Sequence, residues 1–180
     1  PLPELAVPLE DAVGCVLSAD IIAESSLPAT DLAGGDGYAV RAQDVAHVPA
    51  VLPVTADIQA GDTVWTRLVP GSAIRIASGA PLPPGADAVA PVESTDMGIS
   101  QVTVKQPVFP GASAMVIPSG IDVPSGVTVL RAGQRLDAQK IALLAALGKG
   151  RVRVHPRVRV VILSIGDELV EPGAHREPGQ

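Results

Sequence analysis

Between residues 20 and 136 the chain is cut by proline and glycine into short β-prone runs: Asp20 to Ala23, Tyr38 to Arg41, Val51 to Ile58, Ala73 to Ala77, Ala88 to Val92, Gln101 to Val108 and Val127 to Leu130. The breakers between them demand tight corners. This punctuation predicts a small β-rich region. Eighteen glycines and eighteen prolines in 180 residues stay below the ~25–30% at which such a composition signals disorder.

Two helices are expected at the flanks. One spans about Pro8 to Leu17, with Pro8 suited to the first helical position, Glu10 and Asp11 favouring the positive end, and Leu9, Ala12, Val13 and Val16 at helical spacing. Cys15 falls on it as a small hydrophobe, and as the single cysteine it forms no disulfide within the chain. The other helix runs from Asp137 as N-cap through Ile141, Leu143, Leu144 and Leu147 to Gly148 as its stop. From Arg157 the run Val158, Val160, Val161, Ile162 and Leu163 is nearly continuously apolar, as in a parallel strand buried on both faces. Ser164-Ile-Gly-Asp-Glu168 comes next at its carboxyl end, where open α/β sheets place ligands. Only twelve residues remain after Glu168, so the chain reads as a fragment that begins an α/β layer.

Charge and aromatic content remove several function classes. Tyr38, Trp65 and Phe109 are the only aromatics, too few for a base-stacking platform. A net charge of −6 argues against a duplex-binding surface, so no nucleic-acid partner is expected. Lys149, Arg151, Arg153, Arg157 and Arg159 do cluster; the pairs Arg151/Arg153 and Arg157/Arg159 each share a strand face, either as a solvated edge or as an anion-facing site. No run approaches the ~18 apolar residues of a membrane helix, and the first residues lack the pattern of a secretory signal, so a cytoplasmic location is expected.

Five segments in order resemble the MoeA family, the molybdopterin molybdotransferases related to the E domain of gephyrin. They are Leu9 to Ile21, Asp36-Gly-Tyr-Ala-Val-Arg41, Arg75-Ile-Ala-Ser-Gly-Ala-Pro-Leu-Pro-Pro-Gly-Ala-Asp-Ala-Val89, Gly120-Ile-Asp122 and Pro156 to Gly173 with its Gly-Asp-Glu-Leu loop. The resemblance implies an α+β, multidomain chain. A β-rich domain II (21–130) is inserted in a helix-containing elongated domain I (1–20 and 131–155), followed by the first strand of a truncated α/β, MogA-like domain III (156–180). It also implies a homodimer that inserts molybdate into adenylated molybdopterin with release of AMP, aided by Mg²⁺, with a MogA-like adenylyltransferase as a further partner.

By the same resemblance Asp36, Asp122 and Glu168 are catalytic, and Ser78, Gly35, Gly79 and Gly166 bind substrate; no metal ligand is assigned. Each has a plainer reading beside it. Asp36-Gly37 is a common hairpin-turn dipeptide, Ser78 beside Gly79 suits a turn, Asp122 suits an Asx turn, and Asp167 and Glu168 suit a helix start. Thr30-Asp-Leu-Ala-Gly-Gly35 stands where the family shows Phe-Asp-Asn-Ser followed by Ala-Met or Gln-Met, Ile121 stands where it shows Glu, and Gly111 to Met115 lacks its Asn and Arg. These departures motivate two alternatives: a catalytically silent relative acting as a binding or scaffold module, and an unrelated acidic β-rich interaction domain. Residues from about Pro156 onward are expected to be prone to aggregation or disorder.

Overall fold

The computed structural model describes residues 3–63, 66–110 and 114–180; Trp65 and residues 111–113 of the Gly111 to Met115 segment lie outside them. Among the described residues the strands are β1 (Leu5–Pro8), β2 (Val16–Leu17), β3 (Ile21–Ile22), β4 (Leu32–Ala33), β5 (Gly37–Val40), β6 (Ala50–Ile58), β7 (Ala73–Ile76), β8 (Ala88–Pro91), β9 (Gln101–Val104), β10 (Val116–Ile117), β11 (Thr128–Leu130) and β12 (Arg151–His155). One α-helix, α1 (Ala138–Ala146), accompanies them, so the fold is sheet-rich and mixed.

The β-prone runs of the middle become a five-stranded sheet ordered β8-β5-β7-β6-β9, antiparallel except for the β6–β7 pair. Its two faces bury separate aliphatic clusters. One holds Tyr38, Val40, Leu52, Ala73, Ala90, Val102 and Val104; the other holds Ala39, Ile58, Ile74, Ile76 and Val89. Alternation along β5 and β7 divides their side chains between the two faces.

β6 breaks that alternation. Val54 lies opposite Ala73 but Asp57 lies opposite Arg75, so three steps on β6 match two on β7. Upstream of this bulge Ala50, Leu52 and Val54 pack on the Tyr38 face, and downstream Ala56 and Ile58 pack on the Ile74 face. An extra residue in one strand shifts its side-chain phase and re-aims every later side chain on that strand. Here it brings the Asp57 carboxylate onto the Tyr38 face.

A third cluster joins residues 12–17 to residues 130–154. Ala12, Cys15 and Leu17 pack with Leu130, Leu136, Leu144, Val152 and Val154 under the sheet β1-β12-β2. α1 matches the expected pattern: the Asp137 side chain accepts from the Lys140 amide at 2.9 Å, and Gly148 (φ +73°) terminates it. On β12, Val152 and Val154 are buried while Arg151 donates to the Ala6 carbonyl at 2.7 Å and Arg153 pairs with Glu4 at 3.3 Å, which makes this basic face a solvated strand face.

Two expectations fail. Residues 8–17 form no α-helix: Pro8 ends β1, Leu9–Asp11 make a single 3-10 turn, and Gly14 (φ +81°) turns the chain into β2. The backbone of residues 14–17 bonds instead to 134–136, through Gly14 N to Leu136 O (2.8 Å), Leu136 N to Cys15 O (2.8 Å) and Leu17 N to Gln134 O (2.9 Å). Tertiary pairing thus overrides a weak helical stripe, and Cys15 is buried in an extended segment. The strand expected from Arg157 is also absent. Residues 156–180 hold no strand or helix, and Val158 to Leu163 are exposed. A parallel strand needs a neighbour to complete its ladder, and among the described residues none pairs with this run.

The end of β5 is tied to the turn before β7 by Asp44. Arg41 Nε and Nη2 donate to its two oxygens at 2.8 and 2.6 Å, and the Gly71 amide donates to Oδ2 at 2.8 Å. The Arg41 hydrogen bonds first, with the Gly71 amide adding to them, hold the Asp44 carboxyl below its usual pKa. Because the folded carboxyl titrates below the unfolded one, its contribution is complete above the ordinary value of ~3.9 and is lost as pH falls through the lowered folded value. Asp44→Asn should lower unfolding stability at pH 7 by about 1–2 kcal/mol, the lower part of the charge-assisted range because both side chains keep water contact. The variant should also flatten the acid limb of urea midpoints measured from pH 7 to pH 3; an unchanged acid limb would show that Asp44 does not clamp this corner.

Candidate functional site

Asp36 is held by three strands of backbone running past one another. Residues 31–34 bond to 79–82 through Ala33 N to Ala80 O (2.9 Å), Gly79 N to Ala33 O (2.8 Å) and Leu82 N to Asp31 O (2.8 Å). On the other side β4 pairs with β10, and Gly34 N donates to Met115 O at 2.7 Å. β4 and β5 do not pair with each other, so Asp36-Gly37 is not the turn of a hairpin. Gly37 is needed for contact: a Cβ there would lie 2.2 Å from the Ala90 carbonyl oxygen.

In this frame the Ser78 amide donates to Asp36 Oδ1 at 2.7 Å. Ser78 and Gly79 form a turn, with Gly79 at φ +75° and Ala80 N bonded to Ala77 O at 3.0 Å. The structure therefore unites Asp36, Ser78, Gly79 and Gly35. Gly79 joins the segment through its amide on Ala33 O, and Gly35 has Met115 against it, whose Cε would be 2.3 Å from an added Cβ.

Asp36 opens on a cleft of about 290 Å³ lined also by Asp57, Gln59, Arg75, Val92 and Met97. The sheet register explains this lining. Tyr38 lies opposite Arg75, and Arg75 opposite Asp57, which makes one row across β5, β7 and β6 on one face. Two residues further along, the same face presents Asp36 and Gln59. Asp57 Oδ1 accepts from Gln59 Nε2 at 2.6 Å, and Asp57 Oδ2 is 4.0 Å from Arg75 Nη1.

A turn at residues 96–100 roofs the cleft. Asp96 Oδ1 accepts from the amides of Gly98 (3.2 Å) and Thr103 (2.8 Å), and these bonds, the Thr103 amide foremost, hold its pKa down. The Tyr38 hydroxyl donates to the Gly98 carbonyl at 2.9 Å. Burial raises the Tyr38 pKa, Arg75 opposes, and Asp96 and Asp57 reinforce it, so the phenol stays a neutral donor. Met97 is held at φ +58° and stands 68% exposed at the cleft rim.

The remaining expected residues lie elsewhere. Asp122 sits where Leu27 and Val123 bridge, with its own amide on Leu27 O at 3.1 Å; its side chain is exposed and makes no hydrogen bond among the described residues. The neighbouring clamp is Asp31, whose Oδ1 accepts from the Ser119 amide at 2.7 Å. Gly166 and Glu168 lie in a turn closed by Leu169 N to Gly166 O at 3.1 Å, outside the Asp36 cleft and not at a helix start. A larger hollow of about 630 Å³ at the start of α1 is lined by Val13, Arg135 and Lys140, but the helix amide there is already capped by Asp137.

Asp57, Gln59, Arg75 and Met97 went unassigned from sequence. Only the register brings them together, and a bulge inside a β-branched run leaves no local signal. Among the described residues no group of three His, Cys, Asp or Glu side chains is arranged to hold a metal ion. The donor set thus does not fit a self-contained magnesium cage.

Because Asp36 is exposed and makes one backbone contact, Asp36→Ala should shift unfolding stability by no more than about 1 kcal/mol. Thermal or urea unfolding tests this; a loss above about 3 kcal/mol would mark Asp36 as a structural residue.

Residues 1–148 match the family model described as the MoeA N-terminal region (domain I and II). The chain is 44% identical over 180 residues to molybdopterin molybdenumtransferase 2 of Mycobacterium tuberculosis, covering 98% of this chain and 44% of that protein. It is 38% identical over 194 residues to molybdopterin molybdenumtransferase 1 of the same organism, covering 97% and 45%. The fold superposes on a crystal structure of the molybdopterin biosynthesis MoeA protein from Pyrococcus horikosii with a TM-score of 0.82 at 35% identity, covering 99% of this chain and 46% of that one. The chain therefore spans less than half the length of these relatives. With the family model covering both ends of the Asp36 frame and the fold tracing the same path, this chain belongs to the MoeA family.

Proposed function

We propose that this chain supplies the Asp36 half of a molybdopterin molybdotransferase, acting in molybdenum cofactor biosynthesis on adenylated molybdopterin. The observation that carries the reading is the fixed Asp36 carboxylate. Ser78 N–H pins one oxygen, and the other is left without a partner among the described residues at the mouth of a cleft that also holds a guanidinium. Releasing AMP breaks a phosphoanhydride bond and consumes one water. Asp36 orients that water and accepts its proton, and the water oxygen remains on phosphorus. Molybdate enters as a substrate at the dithiolene. Mg²⁺ enters only as a companion of the substrate phosphates, a mode that needs one or two protein carboxylates.

The proposal keeps Ser78, Gly35 and Gly79 as substrate-binding, and Asp122, Glu168 and Gly166 as contributions from outside the Asp36 cleft. Residues 1–20 with 131–155 are read as one domain, 21–130 as a β-rich insertion, and 156–180 as the start of a MogA-like domain. Packing of Ala12, Cys15 and Leu17 against Leu136, Val152 and Val154 supports the first of these. A homodimer, contact with a MogA-like adenylyltransferase and a cytoplasmic location complete the reading; no helix among the described residues is long and apolar enough to cross a membrane. The second reading, a catalytically silent binding module, draws on Ile121, which is 62% exposed beside Asp122.

AMP release from adenylated molybdopterin separates the two. The protein extended to its relatives' full length should release AMP in a molybdate- and Mg²⁺-dependent manner. Asp36→Ala should lose about 10²-fold or more, and the 180-residue chain alone should be inactive. Absence of release from a well-folded extended protein would transfer the assignment to the binding module.

A further inference from the structure

We propose that Arg75 is the anion anchor of the Asp36 cleft, receiving a tetrahedral oxyanion on its guanidinium, with the β6 bulge setting the Asp57 carboxylate beside it as a counter-charge. The inference deepens the molybdotransferase reading and rests on it for the identity of the natural ligand.

Arg75 stands at the centre of the row Tyr38, Arg75, Asp57. Its side chain is 53% exposed, on a strand whose other residues Ala73, Ile74 and Ile76 are buried. A guanidinium carries five N–H donors, and among the described residues none of Arg75's donates a hydrogen bond to protein. Its nearest carboxylate oxygen, on Asp57, is 4.0 Å away, with Asp57 half exposed. That is too long for a charge-assisted hydrogen bond and too open for a stabilising ion pair. Arg41 shows what a structural arginine looks like here, with two bonds at 2.6 and 2.8 Å to a half-buried Asp44.

The surroundings restrict what the fork can meet. Asp57 is engaged by Gln59 on its other oxygen, so it stands beside Arg75 as a counter-charge and not as a lid over it. Among the described residues Arg75 is the only cation lining the cleft, Asp36 lies two residues along the same sheet face, and Met97 lies at the rim with an apolar surface. A planar donor fork left free at a solvent-open cleft suits a phosphate or a similar oxyanion held in two-point contact. Without the bulge, Ala56 would stand opposite Arg75, and Asp57 would point to the Ile74 face. The bulge therefore serves the cleft and the core together, setting Asp57 beside Arg75 while Ala56 and Ile58 join the Ile74 cluster.

The test is calorimetric titration of the 180-residue chain with AMP, adenosine and molybdate, using wild type, Arg75→Gln, Arg75→Lys and Asp57→Asn, with melting temperature as the control for folding. AMP should bind wild type more tightly than adenosine. Arg75→Gln should weaken AMP about tenfold or more while leaving adenosine and the melting temperature unchanged. Arg75→Lys should recover part of the loss, since a point charge replaces a fork, and Asp57→Asn should retain AMP binding. Molybdate displacing AMP with the same Arg75 dependence would identify the anchor's ion as molybdate, and failure to displace would identify it as the nucleotide phosphate; both support an oxyanion anchor. Equal affinity for AMP and adenosine in wild type, no binding of either, or AMP binding untouched in Arg75→Gln would overturn it. Arg75-dependent AMP binding in a protein whose extended form releases no AMP would sink the transferase reading and leave the anchor standing.

Discussion

The structure around Asp36 depends on one segment, residues 27–34, held on both sides at residues 31–34. One side takes its hydrogen bonds from residues 79–82 and the other from 115–123, with Leu27, Asp31, Ala33 and Gly34 each contributing a backbone or side-chain partner. Backbone polar groups need partners wherever they are buried. A segment satisfied on two sides by chain remote in sequence therefore cannot move without breaking both contacts. Asp36 sits at the end of this ladder, and the Ser78 amide is delivered to it by the same strand of chain that closes the ladder. The carboxylate is positioned by topology, not by local turn preference. Gly34 and Gly35 fit this role, because Met115 packs directly against them.

The second constraint is the phase of β6. A sheet with apolar clusters on both faces has no free surface for a charged row, yet Tyr38, Arg75 and Asp57 line up on one face. The bulge makes this possible by letting Leu52 and Ile58, on the same strand, serve opposite clusters. The buried Tyr38 ring fills the space below, and its hydroxyl carries the connection upward to Gly98 and the roof turn. Core, cleft and roof are thereby joined through one side chain.

Much of this was legible in the sequence where the signal is local. The helix from Asp137 to Gly148 is set by its cap and its stop, and the strands from Tyr38, Ala73, Ala88 and Gln101 by β-branched and apolar runs between breakers. Asp36, Ser78 and Gly79 could be marked as a group only through the family resemblance. The hidden part is non-local. The stripe at Leu9, Ala12, Val13 and Val16 imitates a helix, yet Gly14 and the partners at 134–136 draw it into extended pairing. The run Val158 to Leu163 reads as a buried strand because its composition suits one, but composition does not supply a neighbour. Asp57 and Arg75 are eighteen positions apart, and only a register shift places them together.

Native-state hydrogen exchange tests the account most directly, read at the amides of Ala33, Gly34, Ser78, Gly79 and Leu82 in wild type and Asp36→Ala. The account predicts that Ala33, Gly34, Gly79 and Leu82 open together as one cooperative unit in both proteins, and that Ser78 alone loses protection in the variant. Exchange of Ala33 and Leu82 at the rate of an unprotected turn, or unchanged Ser78 protection in Asp36→Ala, would contradict the claim that this two-sided ladder builds the site.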